Sequence, residues 1–280
     1  MDYTFENLKK LLKEECGRFS HYQELPPCVE NKIEGRISDV YTQSQLSLDE
    51  LRYDWLVQQV QPEGMSVVEI GSNLGYFVLR LSSEYDAMVE AYEPVSSYAK
   101  VTTLMAQLCG VNERVLCHNR GVIKSDLVDF LDNDLIITLN VLHHAGIEYD
   151  CKAVIEIGGW ENYIVDYLSI LKNNGKRLFL QMGNISSGDR LFPMEESVPY
   201  VYSLLKKSGW IVQSIGLIED FKSMEYSTYG VDCLNDIPVT SCSRNASTGM
   251  VDYFRNGVLC ASLYTGLAAR PLWYCVRKDE

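Results

Sequence analysis

Residues 65–81 read M-S-V-V-E-I-G-S-N-L-G-Y-F-V-L-R-L, and this stretch decides the fold. A short apolar run, Val67 to Ile70, is interrupted by one acid, Glu69. Gly71 and Gly75 follow, and an apolar helical pattern begins at Phe77. A buried strand, a glycine turn and a helix start form the phosphate- or nucleoside-binding corner of a doubly wound sheet.

Outward from this corner the pattern alternates. Strands are expected over Ser66–Ile70, Ala87–Tyr92, Arg114–His118, Leu135–Leu139, Arg177–Met182, Trp210–Ile215 and Leu272–Val276. Helices are expected over Gly75–Ser83, Ser96–Leu108, Trp160–Leu171 and Glu195–Ser208, with a short one over Ser125–Leu131. Strands separated by helical patterns imply crossover connections and a parallel sheet. The fold class is therefore α/β: a doubly wound, mostly parallel, seven-stranded sheet. Residues 1–60 read as an N-terminal helical cap, with helices over Tyr3–Phe19 and Leu48–Val60. Ser47-x-x-Glu50 is a capping-box pattern opening the second of these. Residues 61–217 form the core. Residues 218–280 hold a lid-like insertion and a final antiparallel strand. Within the insertion, Asn256-Gly257 between Val251–Arg255 and Val258–Leu263 is a type I′ hairpin signal.

Bulk properties narrow the function. The 280 residues carry a net charge of −13, which disfavours nucleic-acid phosphates unless basic residues gather in a patch. Small molecules and glycans rank above tRNA, rRNA and DNA as substrates. No apolar run approaches the roughly 20 residues that span a bilayer. The N-terminus lacks the basic-then-apolar order of a signal peptide, so a cytoplasmic protein is expected. Nine cysteines, an odd number without C-x-x-C, support neither a disulfide framework nor a zinc site, and reduced, mostly buried thiols are expected. No metal is expected.

The ligand of such a sheet binds at the carboxyl ends of its strands. Glycines let backbone approach a ligand closely. Glu93, ending the second strand, is placed to accept both ribose hydroxyls. A dinucleotide fold wants G-x-G-x-x-G, to bring a helix N-terminus against a pyrophosphate. Gly71-Ser72-Asn73-Leu74-Gly75 has a different spacing, and an acid precedes it by two residues. That acid suits a ligand carrying positive charge. A nicotinamide dehydrogenase is thereby disfavoured.

E-I-G-S-N-L-G-Y-F, followed by A-Y-E-P and D-L-I-I-T-L-N-V-L-H-H, resembles a class I S-adenosylmethionine-dependent methyltransferase over about residues 66–216. The resemblance implies a Rossmann-like methyltransferase fold and S-adenosylmethionine as cofactor. It implies that Glu69 and the loop Gly71, Ser72, Asn73 and Gly75 surround the methionine part and that Glu93 takes the ribose, with Tyr76 and Pro94 also against the cofactor. Asn119, Arg120 and Gly121 would flank the adenine, and Asn140 the sulfonium. Asn73 replaces the usual middle glycine. Asn tolerates left-handed backbone better than other non-glycine residues, and the S-N-x-G-Y-F variant is similar to that of glycan- and wobble-uridine-modifying members. H-N-R-G-V lacks the usual acid of the adenine edge.

Methyl transfer is chiefly positioning, and a hydroxyl acceptor also needs a base. His143 and His144, together after the fourth strand, are the candidates; they point in different directions, and His144 is favoured. The other histidines are His21 and His118. Gln181, Asn184, Asp189 and Arg190 follow the fifth strand on the acceptor side, where Arg190 or Arg120 suits an anionic group. Tyr76, Tyr200, Tyr202, Tyr226, Tyr229 and Tyr264 could stack on a sugar. The expected activity is O-methylation of a small polar acceptor such as a sugar or glycan. The alternatives are tRNA wobble-nucleoside modification and a non-catalytic, cofactor-binding partner subunit.

Overall fold

The structure is a computed structural model. It describes residues 3–14, 23–33, 48–187 and 189–278. His21, Cys16 and Ser47 of the expected capping box lie outside them. The chain divides into two compact units, Met1–Val122 and Ile123–Glu280.

Among the described residues the first unit contains five helices: α1 (Tyr3–Glu14), α2 (Pro27–Ile33), α3 (Asp49–Gln59), α4 (Tyr76–Tyr85) and α5 (Ser96–Cys109). Its strands are β1 (Ser66–Ile70), β2 (Met88–Tyr92) and β3 (Val115–His118). They run parallel in the order β3-β2-β1. The expected strands are present to within a residue. Helix α1 is described only to Glu14, short of the expected Phe19. The Pro26-Pro27 pair starts α2. Pro27 is its first residue, where a missing N–H is harmless and a fixed φ is already helical. Phe5, Leu8, Leu12, Val29 and Ile33 bury one face of α1 and α2 against Val101 and Met105 of α5.

The second unit holds β4 (Asn133–Leu139), β5 (Gly175–Gln181), β6 (Ile185–Ser186), β7 (Asp189–Arg190), β8 (Ile211–Ile218) and β9 (Tyr226–Tyr229). Strands β10 (Thr240–Arg244), β11 (Val251–Arg255), β12 (Val258–Leu263) and β13 (Leu272–Val276) follow, and the helices are α6 (Cys151–Glu156), α7 (Trp160–Asn173) and α8 (Ser197–Lys207). Five strands run in the order β4-β5-β13-β8-β9. β4 and β5 are parallel, and β13 is antiparallel to both β5 and β8, as expected of the last strand.

Two features depart from expectation. The seven expected strands gain an eighth, because β9 from the insertion pairs antiparallel with the edge of β8. Its Tyr-Ser-Thr-Tyr sequence has the β-favouring side chains of an edge strand, though its polar surroundings read as loop. The short helix near residue 125 is a 3-10 helix over Lys124–Asp129. The hairpin signal is borne out. β10, β11 and β12 form a separate antiparallel sheet, with Asn256 at φ 48° and Gly257 at φ 79° in the turn.

Candidate functional site

In the first unit the loop after β1 has left-handed backbone at three alternate residues: Gly71 (φ 79°), Asn73 (φ 51°) and Gly75 (φ 82°). The Asn73 side chain supports its own conformation, with Oδ1 accepting the Leu74 N–H at 2.8 Å. Gly75 has a second constraint. A Cβ there would stand 2.6 Å from Cγ2 of Thr102, whose hydroxyl donates to the Asn73 carbonyl at 3.3 Å. The loop is thus clamped between α4 and α5, with its backbone free of side-chain bulk at both glycines. The Gly71 and Ser72 N–H groups donate to the Tyr92 carbonyl, tying the loop to the end of β2.

Glu93 is buried beneath this loop. Its Oε2 accepts the Asn73 N–H and its Oε1 the Val95 N–H, both at 2.8 Å. Burial raises its pKa, although both N–H groups oppose the shift. Each carboxylate oxygen retains a second lone pair for a hydroxyl donor. Asn119 donates from Nδ2 to the carbonyls of Glu93 (3.2 Å) and Pro94 (3.3 Å). A Cβ on Gly121 would lie 3.8 Å from Cβ of Pro94. The Arg120 guanidinium lies 4.9 Å from the centroid of the Tyr92 ring, which stacks on His118. The expected ribose and adenine residues are therefore neighbours in this unit. A cavity of about 420 Å³ between α1, α5 and the end of β3 shares only Asn119 with them.

Glu69 is fully buried within β1. Its carboxyl accepts the Val78 N–H in the first turn of α4, and Oε2 has no hydrogen-bond partner among the described residues. Burial raises its pKa well above the ordinary value; Asp49 pushes the same way and Arg52 opposes. Asp49 and Arg52 form a buried ion pair on α3, and Asp49 also accepts the Glu24 N–H at 3.0 Å. Sequence reading missed this pair. The signal was Arg52 standing four residues before Leu56, on the face that had to be buried. The Tyr76 ring is packed away, edge-on to Tyr53 and Phe77, with its hydroxyl accepting from Arg80 at 3.0 Å. Only its backbone N–H faces the loop side, donating to Gln23 at 3.4 Å.

In the second unit the carboxyl ends of β4 and β5 carry a closed polar ring. Asn140, itself at φ 61°, donates from Nδ2 to Oε1 of the buried Gln181 at 2.8 Å. Gln181 donates from Nε2 to the Arg270 carbonyl at 3.0 Å. The Arg270 guanidinium returns to Oδ1 of Asn140 at 2.7 Å. Arg270, from the segment before β13, has no local sequence signal and was missed. Asn184 is buried and donates to the Phe192 carbonyl at 3.2 Å. Asp189 and Arg190 are exposed on the small β6–β7 hairpin. Tyr200 stacks on Phe192 and donates to Glu161, so its ring face is partly used.

The two histidines differ. His143 is buried, and its Nδ1 accepts the Gly183 N–H at 3.2 Å. Its proton therefore sits on Nε2. Burial, with the nearby Arg270 and His144, lowers its pKa to about 2. A Cβ on Gly183 would meet His143 Nε2 at 2.9 Å and Arg270 Cζ at 3.0 Å, so glycine is needed for this packing. His144 is one-third exposed, and its Nδ1 lies 2.8 Å from Oε1 of Glu148. The two rings are 4.1 Å apart between centroids. No group of His, Cys, Asp and Glu among the described residues has metal-binding geometry. No described helix is long and apolar enough to cross a membrane.

Neither a family model nor a curated protein matches the chain. Several solved structures are similar to it. The bifunctional kinase–methyltransferase WbdD is 16% identical, with a TM-score of 0.48 over 88% of this chain and 54% of that one. TrmN from Thermus thermophilus is 12% identical, with a TM-score of 0.42 over 80% and 48%. An O-methyltransferase of a trans-AT polyketide synthase from Brevibacillus brevis, solved with S-adenosyl-L-homocysteine, is 12% identical, with a TM-score of 0.43 over 68% and 61%. The chain spans between 48% and 61% of the length of these proteins. The likeness is confined to the fold.

Proposed function

We propose that the protein is an S-adenosylmethionine-dependent O-methyltransferase acting on a small polar acceptor, with a sugar or glycan favoured. The observation that carries the cofactor reading is the buried charge set around Glu69. Glu69, Asp49 and Arg52 together carry one net negative charge when ionised. S-adenosylmethionine carries one net positive charge, from a sulfonium, an ammonium and a carboxylate. An ammonium offers Glu69 Oε2 the donor it lacks, and Arg52 supplies the opposite charge for a carboxylate. A dinucleotide pyrophosphate would meet the same set as an unfavourable, like-charged neighbour.

The glycine positions fit the same group. Gly71 and Gly75 hold no side chain over the loop, and Glu93 beneath it keeps lone pairs for ribose hydroxyls. Pro94, Asn119, Arg120 and Gly121 supply the edges against which an adenine would stack. When bound, the cofactor supplies an electrophilic methyl on a sulfonium.

The chain's own contribution to transfer is orientation and a proton acceptor. Asn140, Gln181 and Arg270 form a fixed ring of donors and acceptors for hydroxyls of the acceptor. Arg190 is an exposed cation suited to an anionic substituent. His144, with the Glu148 carboxylate beside its ring, is the group we assign to take the acceptor's proton through Nε2. His143 is a support: neutral, buried and engaged by Gly183. A cavity of about 320 Å³ lined by Glu195, Tyr202, Leu217, Asn235 and Thr240 is the place we assign to the bulk of the acceptor, with residues 234–240 of the insertion as its wall.

The test is incubation of the protein with methyl-labelled cofactor and a panel of monosaccharides, nucleotide sugars, oligosaccharides and tRNA, read by mass spectrometry. Label on a sugar hydroxyl supports the reading. Label on tRNA alone favours the wobble-nucleoside alternative, and cofactor binding without transfer to any acceptor favours a binding subunit.

A further inference from the structure

The cavity of about 320 Å³ in the second unit is walled mainly by carbon. Leu217 near the end of β8, Ala269 just before β13, and Leu234, Ile237, Pro238 and Val239 of the insertion line it. Leu217, Ile237 and Ala269 are buried, so this part of the wall belongs to the packed interior. Polar groups in it are few. The Thr240 hydroxyl is turned back to the Pro238 carbonyl at 3.4 Å. Among the described residues that line the cavity, Glu195 alone is charged, so a phosphate finds no cation there. The hydroxyls of a sugar would find few partners on such a wall.

The apolar surface continues outside the cavity. Val239 lines the cavity and is 49% exposed, so it stands at the rim. Its carbonyl accepts the Asn256 N–H at 3.0 Å, which ties the rim to the turn between β11 and β12. Just past this turn, Val258 and Leu259 are 67% and 57% exposed. Thr240, Arg255 and Val258 share one register row, so Val258 lies at the same end of the three-stranded sheet as Val239. No charge occurs in Val258–Leu263. Large apolar side chains held outward next to the wall of an apolar cavity mark a binding surface.

We propose that the acceptor is a glycoside carrying an apolar aglycone, and that the cavity and the tip of the β11–β12 hairpin hold that aglycone. This rests on the methyl-transfer function proposed above for the same site. The cavity wall and the polar ring are joined by consecutive residues: Ala269 lines the cavity, and Arg270 closes the ring with Asn140 and Gln181. A glycoside divides in the same way. Its sugar hydroxyls meet the donors and acceptors of the ring, and its apolar part leaves water against Leu217, Leu234, Ile237 and Val239.

The test is calorimetric titration of the full chain, without cofactor, with methyl, phenyl and octyl glucosides, the last kept below its micelle concentration. Octyl glucoside should bind more tightly than methyl glucoside by about tenfold or more, as burial of two or more methylenes implies. Octyl above phenyl identifies a lipid-like chain and phenyl above octyl a compact aromatic group; either, bound more tightly than methyl, supports the proposal. Val239→Asp and Val258→Asp, both at exposed positions, should bring the octyl affinity down towards the methyl value. The proposal is overturned if no glucoside binds, if all three bind equally, or if the octyl preference survives both substitutions. If the variants do not fold, the wild-type ratio decides alone. Chain-dependent binding by a protein that transfers no methyl group leaves the aglycone site standing and removes the methyltransferase function. Methyl transfer to a free sugar as fast as to its octyl glycoside does the reverse.

Discussion

Nδ1 of His144 lies 2.8 Å from Oε1 of Glu148, four residues further along the chain. The contact lacks hydrogen-bond geometry, so Glu148 is a neighbouring charge on the Nδ1 side of the ring, away from the Nε2 proposed to act on the acceptor. His144→Ala should lower kcat by about 10²–10⁴, the range of a lost general base, with little change in KM. Glu148→Gln should lower kcat by a smaller factor. Full activity in both variants, measured with a methyl acceptor, would remove this pair from the chemistry.

His143 should behave differently. Its acceptor nitrogen holds the Gly183 N–H, so His143→Phe leaves a buried donor unpaired and should cost about 1–3 kcal/mol of stability. Gly183→Ala should act through the same contacts, because its new methyl meets the His143 ring and the Arg270 guanidinium at about 3 Å. Denaturant unfolding checks both. A loss of activity in His143→Phe larger than that in His144→Ala would reverse the two roles.

The loop makes a paired prediction. Asn73 sits at φ 51°, where Gly is at ease and a β-carbon is strained. Asn73→Ala should destabilise by about 1–2 kcal/mol, and Asn73→Gly should be nearly neutral. Gly75→Ala should be worse, since strain at φ 82° adds to a 2.6 Å approach to Thr102. Thr102→Ala should recover only the steric part. Thermal melts of the four variants separate the two effects.

Much of this site was legible because local rules set it. The spacing of Gly71 and Gly75, the acid at 69 and Glu93 at the next strand end follow from how a strand turns tightly into a helix. Strand β13 and the Asn256-Gly257 turn were legible for the same reason. What escaped depends on long-range packing. Arg270 reaches Asn140 across 130 residues, and the Asp49–Arg52 pair becomes visible only once α3 is known to be buried on that side. Strand β9 was hidden because an edge strand needs only one partner and little apolar content. The opposite fates of His143 and His144 could not be read from two adjacent identical letters; burial and the Gly183 N–H separate them.

Glu69 links stability to pH. Its pKa is raised on folding, so the folded chain binds more protons than the unfolded one, and this residue's effect on stability becomes less favourable as pH rises above the ordinary carboxylate value. Glu69→Gln should therefore be more stable than wild type at neutral pH without ligand, and the advantage should shrink towards pH 4. The same variant should bind a cationic ligand more weakly. Melting curves from pH 4 to 8 test the sign; a wild-type chain that gains stability over Glu69→Gln with rising pH would contradict it.

The chemistry proposed for the protein turns on the identity of its cofactor. Isothermal titration of the protein with S-adenosylmethionine, S-adenosylhomocysteine and NAD addresses it directly. The first two should bind saturably, more weakly by about 1–3 kcal/mol in Glu93→Ala, and NAD should not bind. Tight NAD binding, or no response to either S-adenosyl compound, would contradict it.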